Sequence, residues 1–153
     1  MKTNLNQFLK QYRANQQKVL EASAKIINTS LLEMYKRIID RTPVGNPSLW
    51  KYPAPKDYVP GTLKASWRID FSGNTKDSRG RFTSASQIGN SGGISFKINS
   101  TNSNARAAIY NNQPYAQRVE TGWSTQAPSG MMRITLLEYT SIINTTTIRF
   151  RIK

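Results

Sequence analysis

Eight carboxylates (Glu21, Glu33, Asp40, Asp57, Asp70, Asp77, Glu120 and Glu138) are the acids available for general acid–base or metal chemistry in this 153-residue chain. The chain has no histidine and no cysteine. That removes the commonest general base and metal ligand, thiolate ligands and nucleophiles, and disulfides. No two carboxylates share a D-x-D or E-x-x-E spacing of the kind that builds a hard-cation site. Ser-Lys dyads and lone aspartate bases exist, so these residue types lower the expectation of an enzyme without excluding one, and Asp70 and Glu120 are the carboxylates to test. Gly89-Asn90-Ser91-Gly92-Gly93 lacks the strand–loop–helix context and the Lys-Ser/Thr of a phosphate-binding loop. The expectation is a protein that is not an enzyme and uses no cofactor and no metal.

Binding chemistry is better represented. Twenty-two Lys and Arg against eight acids give a net charge of +14. Such a field favours a polyanion, DNA above all, or an acidic protein surface. Solubility with charge matching to an acidic neighbour fits equally well. Residues 72–93 are polar, contain five glycines and carry Lys76, Arg79 and Arg81, which are candidates to face DNA. If the loop faces outward, they are simply solvated. Phe82 stands alone there as a docking point. Residues 45–60 hold four prolines with Trp50, Tyr52 and Tyr58. Prolines this dense forbid a helix and disfavour a central strand, so the segment is a loop with extended pieces. Its aromatics either fold back on the domain or dock on a neighbour. Lys51 and Lys56 among them also read as a base-stacking platform for single-stranded nucleic acid.

The elements that must position these groups follow from periodicity. Asn4 to Ile39 contains no Pro and no Gly, and its apolar residues recur mostly at gaps of three and four, the mark of an amphipathic helix. Such a helix would run about 50 Å, longer than a domain of this size is wide, so it breaks near Asn15 or one end projects. The segment after Val19 fits packing across the chain's own sheet better than the one before it. Thr42-Pro43 ends the helix. A Gly-Thr-Leu corner leads into a strand, SWRIDF, within Leu63–Phe71. Ile94–Ile98 and Ala105–Tyr110 are two short strands of an antiparallel hairpin. Pro114 opens a short helix carrying Tyr115, Ala116 and Val119 on one face, and Gly122 stops it. Gln126–Gly130 is a turn, and Met131–Ile143 a second helix that the Thr-rich Asn144–Thr147 stops. Ile148, Phe150 and Ile152 alternate with Arg149, Arg151 and Lys153, a terminal strand able to add to a sheet.

These elements make one α+β domain over 1–153. A long N-terminal helix (1–42) and a shorter C-terminal helix pack on a small, mostly antiparallel sheet, with long loops at 45–60 and 72–93. Apolar residues at 37% are few for a self-contained globule, which suits long polar loops or order completed by neighbours. No apolar run approaches the ~20 residues needed to cross a bilayer, and no leader follows Met1, so a soluble, cytoplasmically made protein with no membrane partner is expected.

The densest stretch is Tyr110–Arg133, with Pro114-Tyr115-Ala116, Val119-Glu120, Gly122 and then Pro128-Ser129-Gly130-Met131-Met132-Arg133. It resembles the C-terminal half of the tail-completion (neck) proteins of long-tailed bacteriophages. Their N-terminal half is a long helix running into A-P-V and then T-G-x-L-x-x-S. Here Arg41-Thr42-Pro43-Val44 and Gly61-Thr62-Leu63-Lys64-Ala65-Ser66-Trp67 are similar, separated by the sixteen residues Gly45–Pro60. The resemblance covers about three quarters of the chain. It implies a virion protein, assembled in the host cytoplasm as a ring of self-copies, usually a hexamer. Such a ring lies between the head connector or adaptor and the tail terminator or tail tube, and genomic DNA passes through its lumen. Joining would proceed by surface complementarity, with a projecting helix end packed on the next subunit. The interface candidates are Trp50, Tyr52, Tyr58, Trp123, Met131, Met132, Ile148, Phe150 and Ile152; for Trp123 and Met131, core packing competes. The alternative, from charge and the aromatic loop, is a free-standing nucleic-acid-binding protein.

Overall fold

Lys2 to Arg41 form one continuous helix, α1, about 60 Å long at 1.5 Å per residue. Neither Asn15–Gln17 nor Asn28–Ser30 interrupts it. Its two halves differ in burial. Leu31, Met34 and Ile38 are buried, whereas Leu5, Phe8, Leu9, Tyr12, Val19 and Leu20 are exposed. The helix therefore projects rather than breaks. Thr42 closes it: its hydroxyl donates to the Ile38 carbonyl at 2.6 Å, and Pro43 bars continuation. The computed structural model describes residues 2–54, 56, 58–71, 94–99 and 106–150.

Three strands follow: β1 (Trp67–Asp70), β2 (Ile94–Asn99) and β3 (Arg106–Asn111). The sheet order is β1-β3-β2, antiparallel throughout, with β3 in the centre. Trp67 lies opposite Asn111, and so does Ile94 on the other side. The expected β2–β3 hairpin is present, and β1 closes the opposite edge. A helical turn, α2 (Thr62–Ala65), forms the Gly-Thr-Leu corner, and three helices follow the sheet: α3 (Ala116–Glu120), α4 (Met132–Leu137) and α5 (Tyr139–Arg149). Pro114 precedes α3 by two residues rather than opening its first position, with Tyr115 as the flanking cap.

The core lies where Leu31, Met34 and Ile38 of α1 meet Leu63, Trp67, Ile109, Met131, Met132 and Ile142. Several polar groups around it are paired across elements, as burial requires. The Trp67 indole N–H donates to the Thr42 hydroxyl at 2.8 Å, and the Tyr35 hydroxyl donates to the Trp67 carbonyl at 3.0 Å. Buried Asn111 donates its side-chain amide to the Leu63 carbonyl at 2.8 Å. Gln113 donates to the Ser66 hydroxyl at 2.7 Å. Thus Thr42 and the Gly61–Trp67 corner, far apart in sequence, form one joint beneath the sheet.

The C-terminal segment departs from expectation. The helix begun at Met132 is broken at Glu138, and α5 then runs through Asn144–Thr147 to Arg149. Thr145, Thr146 and Thr147 donate their hydroxyls to the carbonyls of Ser141, Ile142 and Ile143 at 2.9, 2.8 and 2.8 Å. This back-bonding satisfies the threonine hydroxyls inside the helix, although threonine is a weak helix former. Ile142 and Thr146, one turn apart, are buried where α5 packs on α1. Tertiary packing thus overrides propensity. Ile148 and Phe150 form no strand: Ile148 is 72% exposed on α5, and Phe150 is the capping residue after it. Ile152 lies outside the described residues.

Glu138, at the break between α4 and α5, ties them to α1. Its two oxygens accept from Arg37 and Arg41, each at 2.7 Å, and Arg37 also bonds Glu33 at 3.0 Å. Arg41 donates besides to the Thr135 hydroxyl at 2.8 Å. The Arg41 and Arg37 guanidiniums hold the Glu138 carboxyl below its usual range. A depressed folded-state value means that the contribution is present above the unfolded value, about 4.3, and is lost as pH falls below it. Glu138→Gln is therefore expected to cost about 1 kcal/mol at neutral pH, allowing for solvent screening of a partly exposed pair. Denaturant midpoints measured from pH 7 to pH 3 should converge for the two proteins. A constant gap would contradict the ion-pair assignment.

Candidate functional site

The stretch from α3 to α4 is held by one carboxylate. Glu120, the last residue of α3, accepts the backbone N–H groups of Met131 and Met132 at 2.9 and 3.0 Å on one oxygen. Its other oxygen accepts the Arg133 N–H at 2.6 Å. These are the unpaired donors that open α4, and a carboxylate there also meets the positive end of the helix dipole. Glu120 and Arg118 are thus not paired with each other. The Arg118 guanidinium lies over the Trp123 ring, 5.2 Å from its centroid, within the range of a cation–π contact.

That geometry sets Trp123 at the mouth of a cleft of about 640 Å³. One wall is Tyr115, Arg118 and Val119 with the segment Trp123–Gln126; the other is Pro43, Leu49, Trp50, Tyr58 and Leu63. Asn46 shapes the second wall by capping a single 3-10 turn, Pro47–Leu49, with its side chain accepting the Ser48 N–H at 3.2 Å. The Trp50 and Tyr58 rings then pack on each other, with centroids 4.8 Å apart and planes tilted by 60°. Burial raises the Tyr115 phenol above its ordinary value, with Tyr58 adding to the shift, so it remains a neutral hydroxyl at physiological pH. Among the described residues lining the cleft, none is a carboxylate. The described lining is largely aromatic and aliphatic, and Arg118 is the one cation among it.

Trp50, Tyr58 and Trp123, nominated from two separate stretches of sequence, converge on this cleft. Tyr52 does not line it; it is 72% exposed, and the Lys51 amine lies 5.6 Å from its ring centroid. Of the base-stacking platform, the described part is this single Lys–Tyr contact, while Trp50 and Tyr58 are turned towards each other. Met131 and Met132 are buried in the core, so they are packing residues and are withdrawn as interface candidates. Lys76, Arg79 and Arg81 lie outside the described residues. Among the described residues, no three Asp or Glu side chains converge, and no helix is long and apolar enough to cross a membrane.

Arg118 and Tyr115 were not singled out for the site. The signal was there: Tyr115 lies three residues before Arg118 and four before Val119, so these side chains share one edge of a short helix. The stripe on α1 was legible as periodicity, but the exposure of its outer half was not. No protein-family model, curated protein or solved structure matches the chain.

Proposed function

We propose that this chain is a tail-completion (neck) protein of a long-tailed bacteriophage. It would assemble as a ring of self-copies between the head connector and the tail, with DNA passing through the lumen, and would join them by surface complementarity. The observation that carries this reading is the outer half of α1, an apolar-striped helix for which the described chain supplies no cover. A protein that works alone gains nothing from such a helix, whereas one completed by neighbours requires it. The residues behind the family resemblance also have physical work in this fold. Thr42 and Gly61–Trp67 make the joint below the sheet, and Glu120 with Gly130–Arg133 makes the α3–α4 corner. The one acid of those segments, Glu120, accepts the N–H groups that open α4, in keeping with a structural role.

The test is the molar mass of the purified chain in solution, with and without a short DNA duplex, at two salt concentrations. A ring-sized oligomer, or a monomer that restores head–tail joining in extracts and ignores duplex, is the expected result. The net charge of +14 favours one competing reading, a free-standing nucleic-acid-binding protein. A monomer that binds duplex tightly and releases it steeply as salt rises would establish that reading instead.

Trp123→Ala offers a sharper check of the cleft. Trp123 is 75% exposed, so its loss should change folding stability by less than about 0.5 kcal/mol. Ring assembly, read by sedimentation, should weaken by about tenfold or more, as for other aromatic anchors at interfaces. Unchanged assembly would remove the cleft from the ring contact.

A further inference from the structure

The polar donors in the aromatic cleft are not used by the chain itself. Among the described residues, none hydrogen-bonds to the Arg118 guanidinium or to the Tyr58 and Tyr115 hydroxyls, although all three side chains line the cleft. Arg118 lies over the Trp123 ring. A guanidinium seated on an indole keeps its planar fork of N–H donors, and the stacking holds that fork in place before any ligand arrives. The Tyr115 phenol, raised by burial and by Tyr58, stays protonated at physiological pH and remains a donor. Tyr58 is set by close packing on the other wall. An added Cβ at Gly45 would meet the Tyr58 hydroxyl and lie 2.9 Å from the Trp50 ring. Glycine at this position therefore makes room for both rings.

These features select a class of ligand. An ammonium group is disfavoured, because Arg118 already lies on the Trp123 ring and none of the described lining residues is a carboxylate. A wholly apolar ligand would strip water from a guanidinium and two phenols without replacing its hydrogen bonds. Phosphate suits them, since its oxygens accept several charge-assisted bonds and a guanidinium meets it bidentately. The net charge of +14 favours such an anion further. Trp50, Tyr58, Tyr115 and Trp123 offer faces and edges to a planar ring. At about 640 Å³, the cleft falls within the ~300–1,000 Å³ of small-molecule sites.

We propose that the cleft binds an aromatic phosphate, the chemistry of a single nucleotide, with the phosphate at Arg118 and the base among the rings. The lining residues all come from one chain, so the inference stands apart from the ring reading.

The experiment is calorimetric titration of the full chain with adenosine and with adenosine monophosphate. Intrinsic fluorescence locates the binding, because Trp50 and Trp123 line the cleft. The nucleotide should bind about tenfold or more tightly than the nucleoside and should change that fluorescence. Arg118→Gln, at an exposed side chain, should keep the thermal midpoint and abolish the difference between the two ligands. Lys51→Gln removes a neighbouring cation outside the described lining and should change nucleotide affinity by less than about twofold. Gly45→Ala should weaken both ligands by displacing the Trp50–Tyr58 wall. Tighter binding of a terminally phosphorylated oligothymidine, lost in Arg118→Gln, would make a strand end the source of the phosphate. Equal or weaker binding of the oligonucleotide would make the free nucleotide the source. Binding of neither adenosine ligand, equal binding of both, or equal losses from Lys51→Gln and Arg118→Gln would overturn the inference. A ring that forms without nucleotide binding would overturn this inference and leave the ring reading standing. A monomer that neither assembles nor joins tails, yet binds the nucleotide, would do the reverse.

Discussion

Trp67→Ala is expected to cost about 3–5 kcal/mol, the usual range for emptying a large aromatic site in a core. Against a total stability of about 5–15 kcal/mol, that leaves a marginal protein. Trp67 is among the largest fully buried side chains, in contact with the α1 core residues, and its indole N–H reaches the Thr42 hydroxyl. Two terms therefore add: the lost apolar contacts with the resulting cavity, and the loss of a buried donor to Thr42. Trp67→Phe separates them. It keeps most of the ring and removes the hydrogen bond, for about 1–2 kcal/mol. Urea unfolding followed by circular dichroism would measure both. A cost below 1 kcal/mol for the alanine variant would mean that the α1–β1 joint is not central to the fold.

Gly130→Ala should be the next most damaging change, at about 2–4 kcal/mol. Gly130 sits at φ +78°, and an added Cβ would lie 2.5 Å from the Glu120 carbonyl oxygen and 2.7 Å from its carboxylate. The left-handed backbone alone costs a residue with a Cβ about 1–2 kcal/mol. Overpacking against the Glu120 backbone contributes about 1–3 kcal/mol more. Gly61 is the internal control, because it has nearly the same dihedral, φ +83°, with nothing within 4 Å of the added Cβ. Gly61→Ala should therefore show the backbone cost without the clash. Equal thermal shifts for the two alanine variants would refute the close approach of the turn to Glu120. A larger shift for Gly130→Ala explains why Pro128-Ser129-Gly130 is followed at once by a capped helix. The turn must come close enough for Glu120 to reach three consecutive N–H groups.

The joint and the α3–α4 corner bear on function through what they leave outside. With Met131, Met132 and Trp67 drawn into the core, the large apolar side chains left at the surface include Trp50, Trp123 and the stripe on the outer half of α1. The first two border one cleft. The stripe projects beyond the point where α5 ends. Arg118 is the one cation in the described lining of the cleft, while the outer half of α1 carries Lys10, Arg13 and Lys18.

How much was legible in advance depended on whether a local rule faced competition. An uninterrupted run without Pro or Gly from Asn4 to Ile39 sufficed for α1, and Thr42-Pro43 for its end, because no tertiary contact can restore an N–H that proline lacks. The hairpin strands β2 and β3 were set by alternation around a turn-rich link. The α+β class followed from those two signals. Side-chain fates were decided by packing. Met131 and Met132 were legible only as apolar, and whether they faced a neighbour or the core depended on where Glu120 anchored α4. At the C-terminus, local rules make Asn144–Thr147 a helix stop and Ile148/Phe150 a strand, and the fold overrides both. In the fold, α1 offers an apolar wall, threonine hydroxyls bond back to their own helix, and Thr146 turns inward beside Ile142. Local propensity there amounts to a few tenths of a kcal/mol per residue, less than a buried helix–helix contact supplies. The convergence of Trp50, Tyr58 and Trp123 was likewise beyond the sequence alone: 65 positions separate Tyr58 from Trp123, and the tertiary fold brings them to one cleft.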